Sequence, residues 1–330
     1  MGSYILRRVF QSVLTIWGAV SLLFFLFWII PGDLASTQGD TARTITGAVK
    51  ANLDRLYGYD DPLFIQYLKS LRRLVTLDFG TSATNRDIGE MLKEAMGASA
   101  RLSFWGILLY TIGGIVMGVF AAVHRNSLFD RLSGFFTILL NALPPFVMGI
   151  ALQIAFGVIP FQKNWPQWTR FEVQWDQSAM KWFAGVIPTG DTWRFLLLPV
   201  LTIASVELAS MARGSRTIML EVLRADYLRT ARAKGLGSGT VIFKHGLRNA
   251  MIPIITMIGT NIPNTFGYAI LTETVWNIPG LGGSISQAVQ SQDSATTLAF
   301  VSVIVIITVT VTLLVDISYG IFDPRVKVDG

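Results

Sequence analysis

The chain has 330 residues, 52% of them hydrophobic and only 15% charged, which excludes an ordinary soluble domain of this length. Its 27 Lys and Arg against 21 Asp and Glu give a net charge of +6, but they lie in short patches beside apolar runs. That excludes the aromatic-laced basic stripe of a nucleic-acid binder. Cysteine is absent, and the two histidines, His124 and His245, stand more than a hundred residues apart. A disulfide framework and a Cys/His metal cluster are thereby excluded, and a His-based catalytic triad is disfavoured.

Residues 9–30 carry no charge and are long enough to cross a bilayer core, which takes roughly 20 helical residues. Arg7 and Arg8 precede them as in a signal peptide. The run is too long for a signal core and no small-residue cleavage site follows, so it reads as a retained first span. Residues 32–101 then form a small insertion outside the membrane with nine basic and nine acidic side chains. Its amphipathic stretches predict short helices starting near Thr44, Leu63 and Asp87.

The second span is predicted over 102–123, where Gly113, Gly114 and Gly118 permit close helix packing. A short basic turn follows at 124–131. The third span covers 132–159, kinked at Pro144-Pro145. Residues 160–194 form a second external segment with Trp165, Trp168, Trp175, Trp182 and Trp193, most simply interfacial anchors and alternatively peptide contacts. The fourth span, 195–212, contains Glu207. The fifth, 250–271, contains Asn261 and Asn264, with Glu273 just beyond it. The sixth, 299–315, ends at Asp316.

Between spans four and five lies a basic segment, residues 213–249, with eight of the 27 Lys and Arg residues and two acids, Glu221 and Asp226. Its middle, Asp226 to Lys234, is free of Gly and Pro and rich in helix formers, and Gly235 supplies a helix stop. A second short helix is predicted over 240–248. Basic residues fix the orientation, since they accumulate on the cytoplasmic side. Fourteen lie on the side of the termini, the 124–131 turn and the basic segment, against four in the short segments opposite. Both termini are therefore expected in the cytoplasm.

Spacing within the basic segment carries a resemblance. Asp226, Tyr227, Leu228, Arg229, Thr230, Ala231, Arg232, Ala233, Lys234, Gly235 and Leu236, followed by His245-Gly-Leu-Arg-Asn-Ala-Met-Ile-Pro253, resemble the signature loop of binding-protein-dependent ABC transporter permeases. Arg229 and Thr230 stand where the wider family has Glu and Ala, a departure typical of the oligopeptide, dipeptide and nickel branch. Leu56-Tyr-Gly-Tyr-Asp-Asp-Pro-Leu63, Asp78-Phe-Gly-Thr-Ser82, the Glu273–Gly282 stretch and the closing Asp316–Arg325 stretch are similar to the B-type subunit of that branch.

The resemblance implies an all-α permease domain over residues 1–330 with six transmembrane helices, in a bacterial or archaeal cytoplasmic membrane. Residues 226–236 would be a coupling helix that docks on a separate ATPase. The implied partners are a second, non-identical permease subunit, two cytoplasmic ATPases holding ATP and Mg, and an extracytoplasmic solute-binding protein. The cargo would be a short peptide or a similar small solute. The chain would hold no cofactor and no catalytic residue.

The residues agree on the last point, because Gly-Lys occurs nowhere and a phosphate-cradling GxxxxGK[ST] loop is therefore absent. Glu207 stands where the family usually has a neutral residue, which makes it a candidate for the substrate path or a subunit interface. Asn261, Asn264 and Glu273 are further candidates for that path. Asp316 is matched in the family and is expected to pair with a basic loop residue. An ion-coupled secondary transporter is the competing class, weakly favoured by Glu207 and the Asn/Pro-rich fifth span. An intramembrane enzyme is a poorer one.

The orientation is open to a direct measurement. In intact cells a membrane-impermeant thiol reagent is expected to label Asp54→Cys and to spare Ser238→Cys. The reverse pattern overturns the assignment of sides.

Overall fold

A computed structural model describes residues 2–29, 61–82, 84–166, 171, 193–291 and 293–322. The expected helix near Thr44 and most of the external tryptophan segment lie outside the described residues. Among the described residues the chain is helical, with one isolated bridge between Thr81 and Asp87 and no strand. Among the described residues, five helices are long and apolar enough to cross a membrane, with apolar spans Tyr4–Leu26, Ile88–Val123, Pro145–Gln162, Phe195–Leu223 and Ser294–Ser318. The chain divides into two compact units, residues 1–98 with 279–330, and residues 99–278.

In the first unit, α1 (Gly2–Ile29) packs along α11 (Ser294–Phe322). Arg8 and Asp316 form an ion pair at 3.2 Å, and the Tyr4 hydroxyl donates to the Asp316 carbonyl oxygen at 3.2 Å. Asp293 caps α11, accepting the Thr296 N–H at 3.1 Å and the Thr296 hydroxyl at 2.7 Å. The core here comprises Ile88, Leu92, Ala95, Leu281, Ala299 and Phe300, with α10 (Leu281–Gln290) laid on α11. A short helix, α2 (Leu63–Thr76), starts where the sequence predicts one and meets α1 through Tyr67.

The helix expected near Asp87 is not separate. It is the start of α3 (Ile88–Val123), one continuous helix of 36 residues, because no Gly-Pro break falls before residue 102. At 1.5 Å per residue it is roughly 54 Å long, well beyond a hydrocarbon core of about 30 Å. The helix is therefore too long to lie wholly within such a layer.

In the second unit, α3 lies against α7 (Trp193–Leu223), closest at Gly114 and Gly118. A Cβ on Gly114 would fall 2.4 Å from the Met211 Cβ, and one on Gly118 would fall 2.4 Å from the Ala212 carbonyl oxygen. Glycine is required there by contact of backbones, as small residues permit in membranes. The fourth span also runs further than predicted. Residues 213–223, expected as the start of a loop, are the last turns of α7. Charge marks where the apolar layer ends, and the helix continues through good helix formers.

The third span differs in the same unit. Leu143 is extended, as a residue before proline must be, so the expected kink is a full break. It separates α4 (Leu128–Ala142) from α5 (Pro145–Leu152), with Pro145 in the first helical turn. A π-helical stretch, Gln153–Val158, leads into α6 (Ile159–Gln162). The break gives α4 its own anchor. The Asp130 carboxylate accepts from Arg216 Nε at 2.6 Å and Nη2 at 2.9 Å, and from the Asn126 N–H at 2.9 Å. The Arg216 guanidinium holds the Asp130 carboxyl below the usual carboxylate range. This pair ties the start of α4 to the polar end of α7.

Gly118→Ala is expected to lower stability by about 1–3 kcal/mol, since its methyl meets backbone atoms that cannot turn aside. Gly134→Ala, whose Cβ meets nothing within 4 Å, is expected to be neutral or slightly stabilising. Thermal unfolding of the purified complex in detergent compares the two, and equal midpoints would refute the backbone contact.

Candidate coupling site and buried polar groups

Two residues after α7 ends, Ala225 turns extended and α8 (Asp226–Ala233) begins. Asp226 in its first turn and Arg232 in its last complement the helix dipole. Its end is built as the sequence predicts. Gly235 has φ 78, the Leu236 N–H reaches the Ala231 carbonyl at 3.4 Å, and the Gly235 N–H reaches that of Arg232 at 2.9 Å. This is a Schellman termination with glycine at the left-handed position.

Only two side chains of α8 are buried, Leu228 and Ala231, and they pack with Val241, Val222 and Leu223. Their spacing of three places them on one helix face. Asp226, Arg229, Thr230 and Ala233 fall on the opposite face, and all are exposed, as are Tyr227, Arg232, Lys234, Gly235 and Leu236. Ala231, which the resemblance includes in the docking segment, faces its own chain at 9% exposure. Ala233 and Thr230 are the small residues that α8 presents outward.

The second short helix predicted over 240–248 is a π-helical turn, Thr240–Leu247, continuous with α9 (Arg248–Val275). Pro253 therefore lies inside a helix and does not open one. Gly246 of this turn seats against Met219 of α7 and Leu228 of α8, at 3.2 and 3.6 Å from where its Cβ would be. The π turn is the wedge that sets α8 against α7.

The remaining candidates do not form one site. Glu207 on α7 is buried at 4% exposure, and its Oε1 accepts from Asn264 Nδ2 of α9 at 3.4 Å. Asn261 is buried one turn earlier on α9, whereas Asn264 is exposed. Glu273, expected beyond the fifth span, sits in the last turn of α9 with no exposure and accepts the Ser99 hydroxyl at 2.6 Å. Asp316 pairs with Arg8 of the N-terminal helix, where the sequence led us to expect a loop partner.

Sequence reasoning missed how the Glu273–Gly282 stretch is held. Trp276 is buried, its Nε1 donates to the Thr202 hydroxyl at 3.1 Å, and Gln153 Nε2 donates to the Val275 carbonyl at 2.8 Å. Asn277, with φ 51, ends α9 in the same way that Gly235 ends α8. A tryptophan followed closely by Asn and Pro-Gly was the available signal.

A family model described as the binding-protein-dependent transport system inner membrane component matches residues 114–328. The dipeptide transport system permease protein DppB of Alkalihalophilus pseudofirmus is 33% identical over 99% of this chain and 100% of its own length. A probable peptide ABC transporter permease protein of Sinorhizobium fredii is 31% identical, covering 99% and 100%. The glutathione transport system permease protein GsiC of Salmonella typhimurium is 30% identical, covering 99% of each. With most of its length inside the family model and relatives above 30% identical from end to end, the chain belongs to the inner membrane components of binding-protein-dependent transport systems.

Proposed function

We propose that this chain is a permease subunit of an ABC importer that takes up short peptides or a similar small solute across a bacterial inner membrane. The observation that carries the reading is α8, a short helix held from beneath by Leu228 and Ala231 and exposed on every other side. A helix displayed in this way is suited to insertion into a groove on another protein. The named activities of the relatives support the cargo class.

In this reading six helices span the membrane, with α9 as the fifth and both termini in the cytoplasm. Residues 32–101 lie outside, and residues 213–249 face the ATPases. A second, non-identical permease completes the path, and a solute-binding protein delivers cargo from outside. Two ATPase subunits hold ATP and Mg, and this chain holds no cofactor. Closure of the ATPases moves α8. Because α8 is wedged to α7 through Gly246 and Val241, the motion passes directly to a membrane helix. Substrate access then alternates between the two sides without any chemistry in this subunit.

Glu207 is the proposed electrostatic element of the path. A carboxylate buried in an apolar layer costs several kcal/mol unless it is partnered, and the hydrogen bond that Glu207 accepts from Asn264 is long. Glu207→Gln is expected to reduce uptake of cationic peptides relative to anionic ones while the complex still assembles. Unchanged uptake of cationic, neutral and anionic peptides would remove Glu207 from the path.

The docking face gives a sharper test, because the two alanines of α8 separate folding from coupling. Ala233→Asp places a charge on the exposed face and is expected to leave the subunit folded while ATPase co-purification and uptake fall at least tenfold. A desolvated, unpaired charge costs several kcal/mol, and about 1.4 kcal/mol already accounts for a factor of ten. Ala231→Asp is expected to destabilise the subunit itself. Gly235→Asn, which tolerates positive φ, is expected to retain coupling that Gly235→Val loses. Full ATPase retention and uptake in both Ala233→Asp and Gly235→Val would reduce α8 to a connector.

A further inference from the structure

Two residues of the π turn Thr240–Leu247 hold α8, and they stand five apart. Val241 packs with Leu228 and Ala231. A Cβ on Gly246 would fall 3.6 Å from Leu228 Cδ1 and 3.4 Å from the Val241 carbonyl oxygen. Ala250 and Ile254 continue this buried face into α9 at spacings of four. Each residue of an α-helix turns about 100°, so residues four apart diverge by about 40° and residues five apart by about 140°. An α-wound turn would therefore point Val241 away from Gly246. The π winding, which bonds i to i+5, accommodates one extra residue and brings Val241 back into line.

Nothing in the covalent chain imposes that winding. Thr240–Leu247 contains no proline, so no missing N–H forces a wider turn. The sequence also supplies an apolar residue for either winding. Ile242 stands four before Gly246 and is already half-buried against the core around Met219 and Ala250. Wound as an α-helix, the turn would set Ile242 where Val241 now sits, one aliphatic side chain in place of another. The chain on the N-terminal side has room for the change, because residues 232–240 are all exposed. Single π turns within α-helices occur frequently at functional sites.

We propose that Thr240–Leu247 is a two-position joint, with Val241 and Ile242 as alternative positioning residues that seat α8. The proposal rests on the reading above, in which the ATPases move α8. In the π winding Val241 packs with Leu228 and Ala231. In the α winding Ile242 packs with them, and the residue released passes into the exposed segment 232–240. One residue spans at most about 3.5 Å of chain, which bounds the travel of α8 between its two seats. The docking helix thus follows the ATPases between two defined positions and stays packed in both.

The joint depends on the number of residues in the turn. Phe243 is 65% exposed, so its deletion removes no buried side chain and leaves Val241 four residues before Gly246, a single α-wound seat. In the whole complex reconstituted in vesicles, deletion of Phe243 is expected to leave ATPase co-purification at the parental level. Uptake of radiolabelled di- and tripeptides is expected to fall several-fold. Phe243→Ala, which keeps the residue count, is expected to retain both. Parental uptake in the deletion would overturn the joint, and so would an equal loss of uptake in Phe243→Ala. Loss of ATPase co-purification in the deletion would mean that an α-wound turn does not seat α8, and would overturn it as well. Failure of the coupling reading itself is read separately, from full ATPase retention and uptake in Ala233→Asp.

Single cysteines report the winding directly, in a chain with none of its own. Val241 is 1% exposed. In the purified complex Val241→Cys is expected to react with a water-soluble maleimide several-fold faster once the ATPases are trapped with ATP and vanadate. Ile242→Cys is expected to react more slowly in the trapped state than without nucleotide. Equal rates in the two states at Val241→Cys would mean that the turn keeps one winding, and would overturn the proposal.

Discussion

The close contact between α3 and α7 is the constraint on which the second unit depends. In hydrocarbon, helices gain nothing by hiding apolar surface from lipid, so association rests on packing and hydrogen bonds. Gly114 and Gly118 let α3 approach α7 until backbone atoms touch, and any side chain at Gly118 would meet the Ala212 carbonyl. Around the α7 so fixed, α4, α5 and α9 find their places. The same helix runs on to Leu223, where α8 follows after two residues. The position of the exposed helix α8 is therefore set by glycines deep in the apolar layer.

One stretch of irregular backbone in this unit follows from proline. Pro160 has no N–H, so the Phe156 carbonyl four residues earlier lacks its helical partner. That carbonyl accepts instead from the Phe171 N–H at 3.1 Å, and the Phe156 and Phe171 rings meet edge-on at 6.2 Å. The preceding stretch, Gln153–Val158, winds as a π-helix. Thr240–Leu247 is wound in the same manner with no proline inside it, and its role is visible in Gly246, which brings the turn against α7 and α8.

Much of this was legible in the sequence, for identifiable reasons. Apolar runs marked the membrane helices because hydrocarbon admits little else. Gly235 marked the end of α8 because a left-handed residue favours glycine there, and Gly114 and Gly118 marked a packing face because nothing larger fits. What was not legible concerned where helices end and which way they face. Loss of apolar character ends a membrane span, but not a helix, and so α7 outran its predicted limit by residues 213–223. Conversely, Pro144 was read as a bend where Leu143, forced extended, produced a break. Ala231 was included in the docking segment because the resemblance takes in all of residues 226–236. Its spacing from Leu228 within an otherwise polar helix was the better guide, because two apolar residues three apart on such a helix mark its inner face.

The composition of α9 sets it apart from the other long helices. It is as long as the spanning helices, at 28 residues, yet it is more polar than they are. Thr256, Thr260 and Asn264 recur every four residues and are all exposed, so they form one stripe. The two threonines limit the polarity by donating to their own helix, Thr256 to the Ile252 carbonyl and Thr260 to that of Met257. Asn264 directs its amide nitrogen to Glu207. A primary amide has more hydrogen-bonding groups than this one bond satisfies, and leaving them in hydrocarbon costs several kcal/mol. The stripe is therefore a poor surface for lipid and a good one for water, solute or a second subunit. Glu207 lies behind it, and Asn264 links that buried carboxyl to the exposed face.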